Sequence, residues 1–166
     1  MKRWLQQGSD LALDFLFPPV CPGRGRSGYP ICPHCRAAIV PIFDSDCRIC
    51  NRHLNVADIC GQCSAASHSL ERVYAAAVYS GPLRDVITRF KYGNLRFLAN
   101  DLAELLARRI RNEALDGFQV VPVPLYRIRQ KSRGYNQSEL LGVRVSDKLG
   151  LQYEPNTLKR VRDTES

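Results

Sequence analysis

Apolar side chains recur at helical spacing in several parts of the chain, and each such stretch predicts an amphipathic helix. The first lies within residues 1–20 and ends at Pro18-Pro19, because proline has no backbone N–H to donate. We interpret it as a helix that packs on the following module, with a membrane-surface helix as the alternative. The second predicts a helix over residues 81–92, with Ser80 as its N-cap and Gly93 after its last turn.

Two more helices are predicted in the second half of the chain. One starts after Asn94 as its N-cap and is broken by Gly117. Its buried face is predicted to consist of Leu98, Leu102, Leu105, Leu106 and Ile110. The other starts near Ser138 and ends at Gly150. Its buried face is predicted to consist of Leu140, Leu141, Val145 and Leu149.

Three segments are typical of β-strands. Residues 71–79 are rich in valine, alanine and tyrosine, and residues 118–124 form a short apolar run that predicts a buried parallel strand. Residues 151–153 are a third candidate, whereas residues 126–134 are predicted to form a basic loop. Strands that alternate with helices indicate an α/β domain with a parallel sheet, which we place at residues 67–166.

The segment 21–66 has a different composition from the rest of the chain. It is rich in cysteine, proline, glycine and serine, and it shows no helical periodicity. All seven cysteines lie in it, and six of them form three C-x-x-C pairs. An odd number of cysteines disfavours a disulfide framework, and pairs in series disfavour a redox motif. We therefore predict a module organised by zinc rather than by a hydrophobic core of its own.

The last two C-x-x-C pairs suffice for one zinc site. Structural zinc takes four ligands in a tetrahedron, and each pair supplies two thiolates from one turn. The predicted ligands are Cys47, Cys50, Cys60 and Cys63. A closed set of four sulfurs leaves no coordination position for water, so the ion is structural, and its binding contributes on the order of 10 kcal/mol to folding.

The remaining three cysteines give an incomplete ligand set. They are Cys21, Cys32 and Cys35. Arg24 stands three positions after the first of them, and a guanidinium group does not ligate zinc. His34 lies inside the second turn, where we expect its side chain to point away from the metal. Two alternatives remain open: an empty or degraded site, or a three-cysteine zinc site that borrows His53 or His68 from elsewhere in the chain.

The formal charge of +8 comes from 24 lysines and arginines against 16 aspartates and glutamates. Four cations lie between the predicted strand at 118–124 and the last helix, namely Arg127, Arg129, Lys131 and Arg133. Ligands of open α/β sheets bind at the carboxyl ends of strands, and helix N-termini attract anions. We predict a phosphate or pyrophosphate site here, which Lys91 joins, with a solvated basic loop as the alternative. The charge also suits nucleic acid, although no recognition motif is present.

The composition limits the class of protein. Apolar residues make up 45% of the chain and charged residues 24%, which excludes a wholly disordered chain. No stretch approaches the roughly 18 apolar residues that a membrane-spanning helix needs. Residues 11–20 are too short and carry Asp14, and no small-residue cleavage site follows them, so we predict no secretory signal. We expect a cytoplasmic protein.

The order of several short motifs resembles the ComF family. Serial C-x-x-C pairs come first, and YSGPLR at residues 79–84 leads to FKYG at residues 90–93. VPVPL follows at residues 121–125. The most specific motif is RGYNQS at residues 133–138. The similarity covers nearly the whole chain from Cys21 onward.

This resemblance implies a double zinc ribbon followed by a type I phosphoribosyltransferase-like domain in a cytoplasmic bacterial protein. Some members of the family are needed for natural transformation, the uptake and internal handling of DNA. The implied ligand is phosphoribosyl pyrophosphate with Mg²⁺. The implied binding residues are Lys91, Pro122, Val123, Pro124, Arg133, Gly134, Asn136, Gln137 and Ser138. No catalytic residue is assigned.

The chain departs from the family pattern in two ways. Arg24 stands where the family has a cysteine. Family members also continue to a pair of aspartates followed by Thr-Thr-Gly, a loop that holds the ribose hydroxyls and the 5′-phosphate. Nothing within residues 1–166 replaces that loop. We therefore expect a truncated, partial phosphoribosyltransferase-like domain with an open sheet edge, which does not catalyse alone.

Two hypotheses about function follow. In the first, the protein is a ComF-like phosphoribosyltransferase-family member linked to DNA uptake. Its reaction class would be phosphoribosyl transfer with release of pyrophosphate, which the basic residues stabilise electrostatically. In the second, it is a non-catalytic adaptor whose zinc ribbons and basic surface bind single-stranded DNA or a competence helicase-type partner.

Overall fold

The computed structural model describes residues 18–42, 47–55, 58–66 and 69–163. The helix expected within residues 1–20 therefore lies almost wholly outside the described residues. The described helices are α1 (Pro33–Ala37), α2 (Gly61–Ala65), α3 (Gly81–Tyr92), α4 (Leu98–Ile110), α5 (Arg127–Arg133) and α6 (Gln137–Leu149). Two strands, β1 (Gln119–Val120) and β2 (Gln152–Tyr153), pair in parallel and complete an α/β fold.

The helices predicted from apolar periodicity are confirmed as α3, α4 and α6. Helix α6 begins because Asn136 caps it: the backbone N–H of Ser138 donates to the Asn136 side chain at 3.0 Å. It ends because Gly150 adopts a φ of 69°, a left-handed conformation that favours glycine. The hydroxyl of Ser80 makes no capping hydrogen bond at α3, although Ser80 does precede its first turn.

The prediction that Asn94 caps α4 is wrong. Asn94 has a φ of 55°, and its side-chain oxygen accepts a hydrogen bond from the Arg96 Nε at 3.1 Å. Phe97 instead occupies the position before the first turn of α4. Asparagine tolerates the left-handed conformation, so Asn94 forms part of the turn between α3 and α4 and does not cap the helix.

The basic segment at residues 126–134 is a helix and not the predicted loop. Helix α5 covers Arg127–Arg133, and its backbone ends at Gly134, which has a φ of 78°. Long unbranched side chains such as Arg, Lys and Gln favour helices, and glycine at this position terminates them. The segment is short and lacks a buried apolar stripe, and for that reason periodicity did not reveal it.

The two paired strands are shorter and more exposed than predicted. Gln119 lies opposite Gln152 in the parallel register, but Phe118 and Val123 are 59% and 62% exposed. The apolar run 118–124 is therefore only partly buried, because a single neighbouring strand and one helix cover it in the described part of the chain. Helix α6 approaches closely at Gly142, where a Cβ atom would lie 3.0 Å from the Tyr153 ring.

Residues 71–79 do not form the predicted sheet strand. Ala77 of this segment forms an isolated antiparallel bridge with Pro41, and the backbone hydrogen bonds of the segment go to the cysteine-rich module. The backbone N–H of Val73 donates to the Arg48 carbonyl at 2.7 Å, and that of Val78 donates to the Val40 carbonyl at 2.9 Å. The strand predicted at residues 71–79 is therefore wrong, because the hydrogen-bonding partners of this segment lie in the module that precedes it.

One hydrophobic core joins the cysteine-rich module to the helices. Its buried members are Cys21, Ile31, Cys32, Cys35, Leu83, Val86, Phe90, Leu98, Ala99, Leu102 and Tyr135. The cluster thus draws on the first three cysteines, on α3 and on α4. Helices α4 and α6 also pack extensively against each other. Among the helices of the described residues, none is long and apolar enough to cross a membrane.

An ion-pair network links α4 to α6 and makes a testable contribution to stability. Glu104 on α4 accepts from Arg108 at 2.8 Å and from Lys148 on α6 at 3.0 Å. These cations, Arg108 first and Lys148 second, lower the pKa of the Glu104 carboxyl to about 2. The ionised carboxylate therefore stabilises the fold above its ordinary pKa of 4.5, and this contribution is lost as the pH falls toward 2.

We predict that Glu104→Gln lowers the free energy of unfolding at pH 7 by about 1 kcal/mol or less, since the pair is partly solvated. The difference between variant and wild type should shrink as the pH falls from 4.5 toward 2, the two pKa values that bound the shift. Denaturant unfolding of both proteins at each pH measures it. Asp147→Asn, on the exposed side of α6, is the control; an equal loss there at neutral pH would contradict the assignment.

Candidate zinc centre and basic cleft

The second half of the cysteine-rich module, residues 47–66, is here called the second ribbon, and residues 21–42 are called the first. The second ribbon brings four thiols together around one point. The Sγ atoms of Cys47, Cys50, Cys60 and Cys63 all lie within 4.8 Å of one another. The Cys50 and Cys60 sulfurs are 3.8 Å apart. A tetrahedron with zinc–sulfur distances of about 2.3 Å has sulfur–sulfur edges of about 3.8 Å. The donor set and its spacing therefore fit a structural zinc ion, as predicted.

Backbone hydrogen bonds favour the thiolate form of one cysteine of this ribbon, Cys47. The N–H of Cys60 donates to the Cys47 sulfur at 3.4 Å. Backbone donors, Cys50 first and Cys60 next, lower the pKa of the Cys47 thiol to about 6. A thiolate is the form that binds zinc, so this sulfur is poised to ligate at neutral pH.

The first ribbon gathers three thiols. The sulfurs of Cys21, Cys32 and Cys35 lie within 4.8 Å of one another, and no other histidine, cysteine or carboxylate of the described residues joins them. Burial raises the pKa of the Cys35 thiol to about 12. His34 is exposed and outside the cluster, as expected. His53 is likewise not part of it, and His68 lies outside the described residues.

A basic cleft lies between the end of α3 and helix α5. Its volume is about 630 Å³. The residues that line it are Lys91, Tyr92, Asn94, Arg96, Ile128, Arg129, Lys131, Ser132, Arg133 and Gly134. Five of these are cations, and within the described part of the chain none of the lining residues is a carboxylate. Arg129 forms an ion pair with Asp163 at 3.1 Å. Such a cleft concentrates positive potential and attracts anions.

Three of the predicted ligand-binding residues, Lys91, Arg133 and Gly134, line the cleft. The others surround the start of α6. The Asn136 amide donates to the Val123 carbonyl at 3.1 Å, and the Val123 N–H donates to the Ser138 hydroxyl at 2.9 Å. These two hydrogen bonds connect the turn at residues 122–124 to the start of α6. The turn itself does not line the cleft.

Gln137 connects these two groups. Arg133 donates to its side-chain oxygen at 2.7 Å, and its amide donates to the Lys91 carbonyl at 3.3 Å. Asn136 and Gln137 are 2% and 8% exposed, and their polar atoms are bonded to the protein. Contact of these two residues with a ligand remains a prediction.

Among the cleft residues to which the sequence analysis gave no role, Arg96 and Tyr92 make cation–π contacts. Arg96 donates to the Gly134 carbonyl at 2.9 Å, and its guanidinium lies 4.8 Å from the centre of the Tyr135 ring. Tyr92 is 73% exposed, and the guanidinium of Arg133 lies 4.9 Å from its ring centre. Tyr92 belongs to the FKYG motif and could have been noticed there. Arg96 carried no local pattern, because only the fold brings it beside α5.

We predict that replacing Cys60 and Cys63 together by serine removes the zinc ion and unfolds the second ribbon. The reason is that metal binding supplies on the order of 10 kcal/mol to folding in such modules. Zinc content and amide hydrogen exchange over residues 47–66 measure the two effects. Ser64→Ala, in the same turn, is the control. A metal-free preparation with protected amides in this ribbon would refute the prediction.

Comparisons with known proteins agree with the zinc-ribbon interpretation of the cysteine-rich module and with the family resemblance seen in the sequence. Residues 12–64 match the double zinc ribbon domain family. Competence protein F of Haemophilus influenzae is 31% identical over 153 residues, which cover 80% of this chain and 66% of that protein. DNA utilization protein YhgH of Escherichia coli K12 is 30% identical over 151 residues, which cover 87% of this chain and 60% of that protein. No solved structure gives a significant match.

A more distant relative agrees with these two. Competence protein ComFC of Bacillus subtilis is 25% identical over 118 residues, which cover 67% of this chain and 49% of that protein. The chain thus spans 66% or less of the length of the relatives named here. With the ribbon match, the gathered cysteines and these relatives taken together, the chain belongs to the ComF family.

Proposed function

We propose that the protein acts in DNA uptake and that its basic cleft binds a ligand rich in phosphate groups. The relatives are named competence proteins and a DNA utilization protein, which supports the first part. The observation that carries the second part is the convergence of five cations, of which Arg129 is paired with Asp163, on one cleft whose described lining holds no carboxylate. Phosphate oxygens are strong acceptors for lysine and arginine donors.

The first candidate ligand is phosphoribosyl pyrophosphate, as the family resemblance implies. In phosphoribosyl transfer, the bond between the ribose C1 and a pyrophosphate oxygen breaks while the acceptor bonds to C1. The pyrophosphate leaves with the electron pair, and nearby cations such as Lys91 and Arg133 stabilise that charge.

Magnesium is implied by the same resemblance, and the cleft itself does not fit it. Mg²⁺ binds oxygen ligands, usually one or two carboxylates together with phosphates and water. The described lining offers hydroxyl, amide and carbonyl oxygens but no carboxylate. The residues of the cleft lining therefore do not by themselves form a magnesium site.

The second candidate ligand is single-stranded DNA, and one specific observation favours it. Tyr92 presents an exposed ring at the cleft with Arg133 stacked on it, and Ile128, which also lines the cleft, is 67% exposed. Grooves that bind single strands combine cations for the backbone with aromatic rings on which bases stack. A small pyrophosphate ligand has no need of such a ring.

We predict that Lys91→Ala combined with Lys131→Ala weakens binding of phosphoribosyl pyrophosphate roughly tenfold or more, because a hydrogen bond to a charged group contributes about 1.5–3 kcal/mol. Isothermal titration with phosphoribosyl pyrophosphate and Mg²⁺ measures this. Lys159→Ala, an exposed cation outside the cleft lining, is the control. Absence of binding heat in the wild-type protein, or equal affinities of the three proteins, would remove this candidate.

For single-stranded DNA, we predict that Tyr92→Ala weakens binding roughly 5-fold to 100-fold, because stacking of a base on an aromatic ring contributes about 1–3 kcal/mol. Fluorescence anisotropy with a labelled oligothymidine at two salt concentrations measures the affinity. Tyr29→Ala is the matched control, since Tyr29 also stacks on an arginine, with the Arg26 guanidinium 5.3 Å from its ring. Equal losses in both variants would exclude the cleft as the DNA site.

A further inference from the structure

The first ribbon begins with a tight turn at residues 21–26, closed by two backbone hydrogen bonds, which is here called a knuckle. The backbone N–H of Cys21 donates to the Arg26 carbonyl at 3.0 Å, and the N–H of Gly25 donates to the Cys21 carbonyl at 2.8 Å. Gly25 has a φ of 67°, the left-handed conformation that closes the turn. These two backbone bonds close a tight turn that begins at Cys21.

The second ribbon begins with a knuckle built in the same way. The N–H of Cys47 donates to the Arg52 carbonyl at 2.7 Å, and the N–H of Asn51 donates to the Cys47 carbonyl at 2.8 Å. Asn51 has a φ of 55°, in the same region as the glycine of the first knuckle. Because both knuckles share this pattern, Arg24 occupies the position that Cys50 occupies in the second.

The two helical cysteine pairs are equivalent as well. Cys32 and Cys60 precede α1 and α2 with φ, ψ values of −67°, 157° and −73°, 156°. Their carbonyls accept from Arg36 and Ser64, each at 2.9 Å. The two ribbons are therefore repeats of one scaffold that differ in a single ligand position.

The ribbons differ in what surrounds their sulfurs. In the first, Cys21, Cys32 and Cys35 are 0%, 1% and 0% exposed and belong to the core cluster formed with α3 and α4. A Cβ atom at Gly23 would lie 2.8 Å from the Cys35 sulfur, so the knuckle closes directly on that thiol. In the second ribbon, Cys47 and Cys60 are also buried, at 0% and 6% exposed, whereas Cys50 is exposed. Of the described residues, none of this ribbon's cysteines belongs to the core cluster.

The ligand set of the first ribbon does not fit a closed zinc site. Structural zinc takes four protein ligands, and the three thiols have no fourth partner among the described residues. The guanidinium of Arg24 offers only donors, and its side chain is exposed. Buried free cysteines behave as small apolar side chains, which suits their place in the core.

We propose that the chain holds a single structural zinc ion, in the second ribbon, and that the first ribbon folds without metal as part of the hydrophobic core. The metal site of the first repeat has thus been replaced by apolar packing against α3. The two ribbons stay similar in backbone while depending on different interactions.

The zinc content of the whole chain tests this proposal. Native mass spectrometry after purification with excess zinc and desalting should give one zinc per chain. Arg24→Cys should raise the content to two, because it restores the position equivalent to Cys50. Arg26→Cys, which adds a cysteine two residues away, is the matched control and should stay at one. Two zinc ions in the wild-type protein would overturn the proposal.

Single cysteine variants locate the ion. Cys21→Ala should leave the zinc content at one. It should lower the melting temperature relative to wild type by the same amount with and without a chelator. Cys50→Ala should reduce the content below one. Loss of zinc in Cys21→Ala would overturn the proposal, as would a fall from two to one in His68→Ala, which would identify a borrowed ligand. The wild-type count decides the question even where a variant fails to fold.

Discussion

Packing of the first ribbon against α3 is the contact on which the rest of the structure depends. The three buried thiols share one apolar cluster with Val86 and Phe90 of α3. The Phe90 carbonyl in turn accepts a hydrogen bond from the Tyr135 hydroxyl, and Tyr135 lies within the motif at residues 133–138. One continuous set of contacts therefore runs from the cysteine-rich module through α3 to the basic cleft, and the cleft geometry depends on the module.

The buried polar residues at the start of α6 make that geometry specific. Burying an amide stabilises a fold only when its hydrogen bonds are satisfied, so such residues favour a single arrangement. Asn136 bonds to the turn at Val123, and Gln137 bonds to Lys91 and Arg133. Together they connect the turn after β1, the end of α3 and helix α5 to the start of α6.

The cleft places like charges close together, which by itself destabilises the fold. Part of that repulsion is offset within the protein, because Arg96 and Arg133 lie over the rings of Tyr135 and Tyr92. Arg129 is paired with Asp163. Lys91 and Lys131 present their charge at an exposed surface. A bound phosphate would relieve the remaining repulsion, and this is the physical reason to expect an anionic ligand there.

The sequence alone determined the features that depend on near neighbours. Helical periodicity identified α3, α4 and α6, and C-x-x-C spacing identified the four-sulfur site, because turns and helices are set by residues three or four positions apart. Only the tertiary structure decided that residues 71–79 bond to the cysteine-rich module, that residues 118–124 stay half exposed, and that Arg96 joins the cleft. Each of these depends on groups far apart in the chain, which no local pattern records.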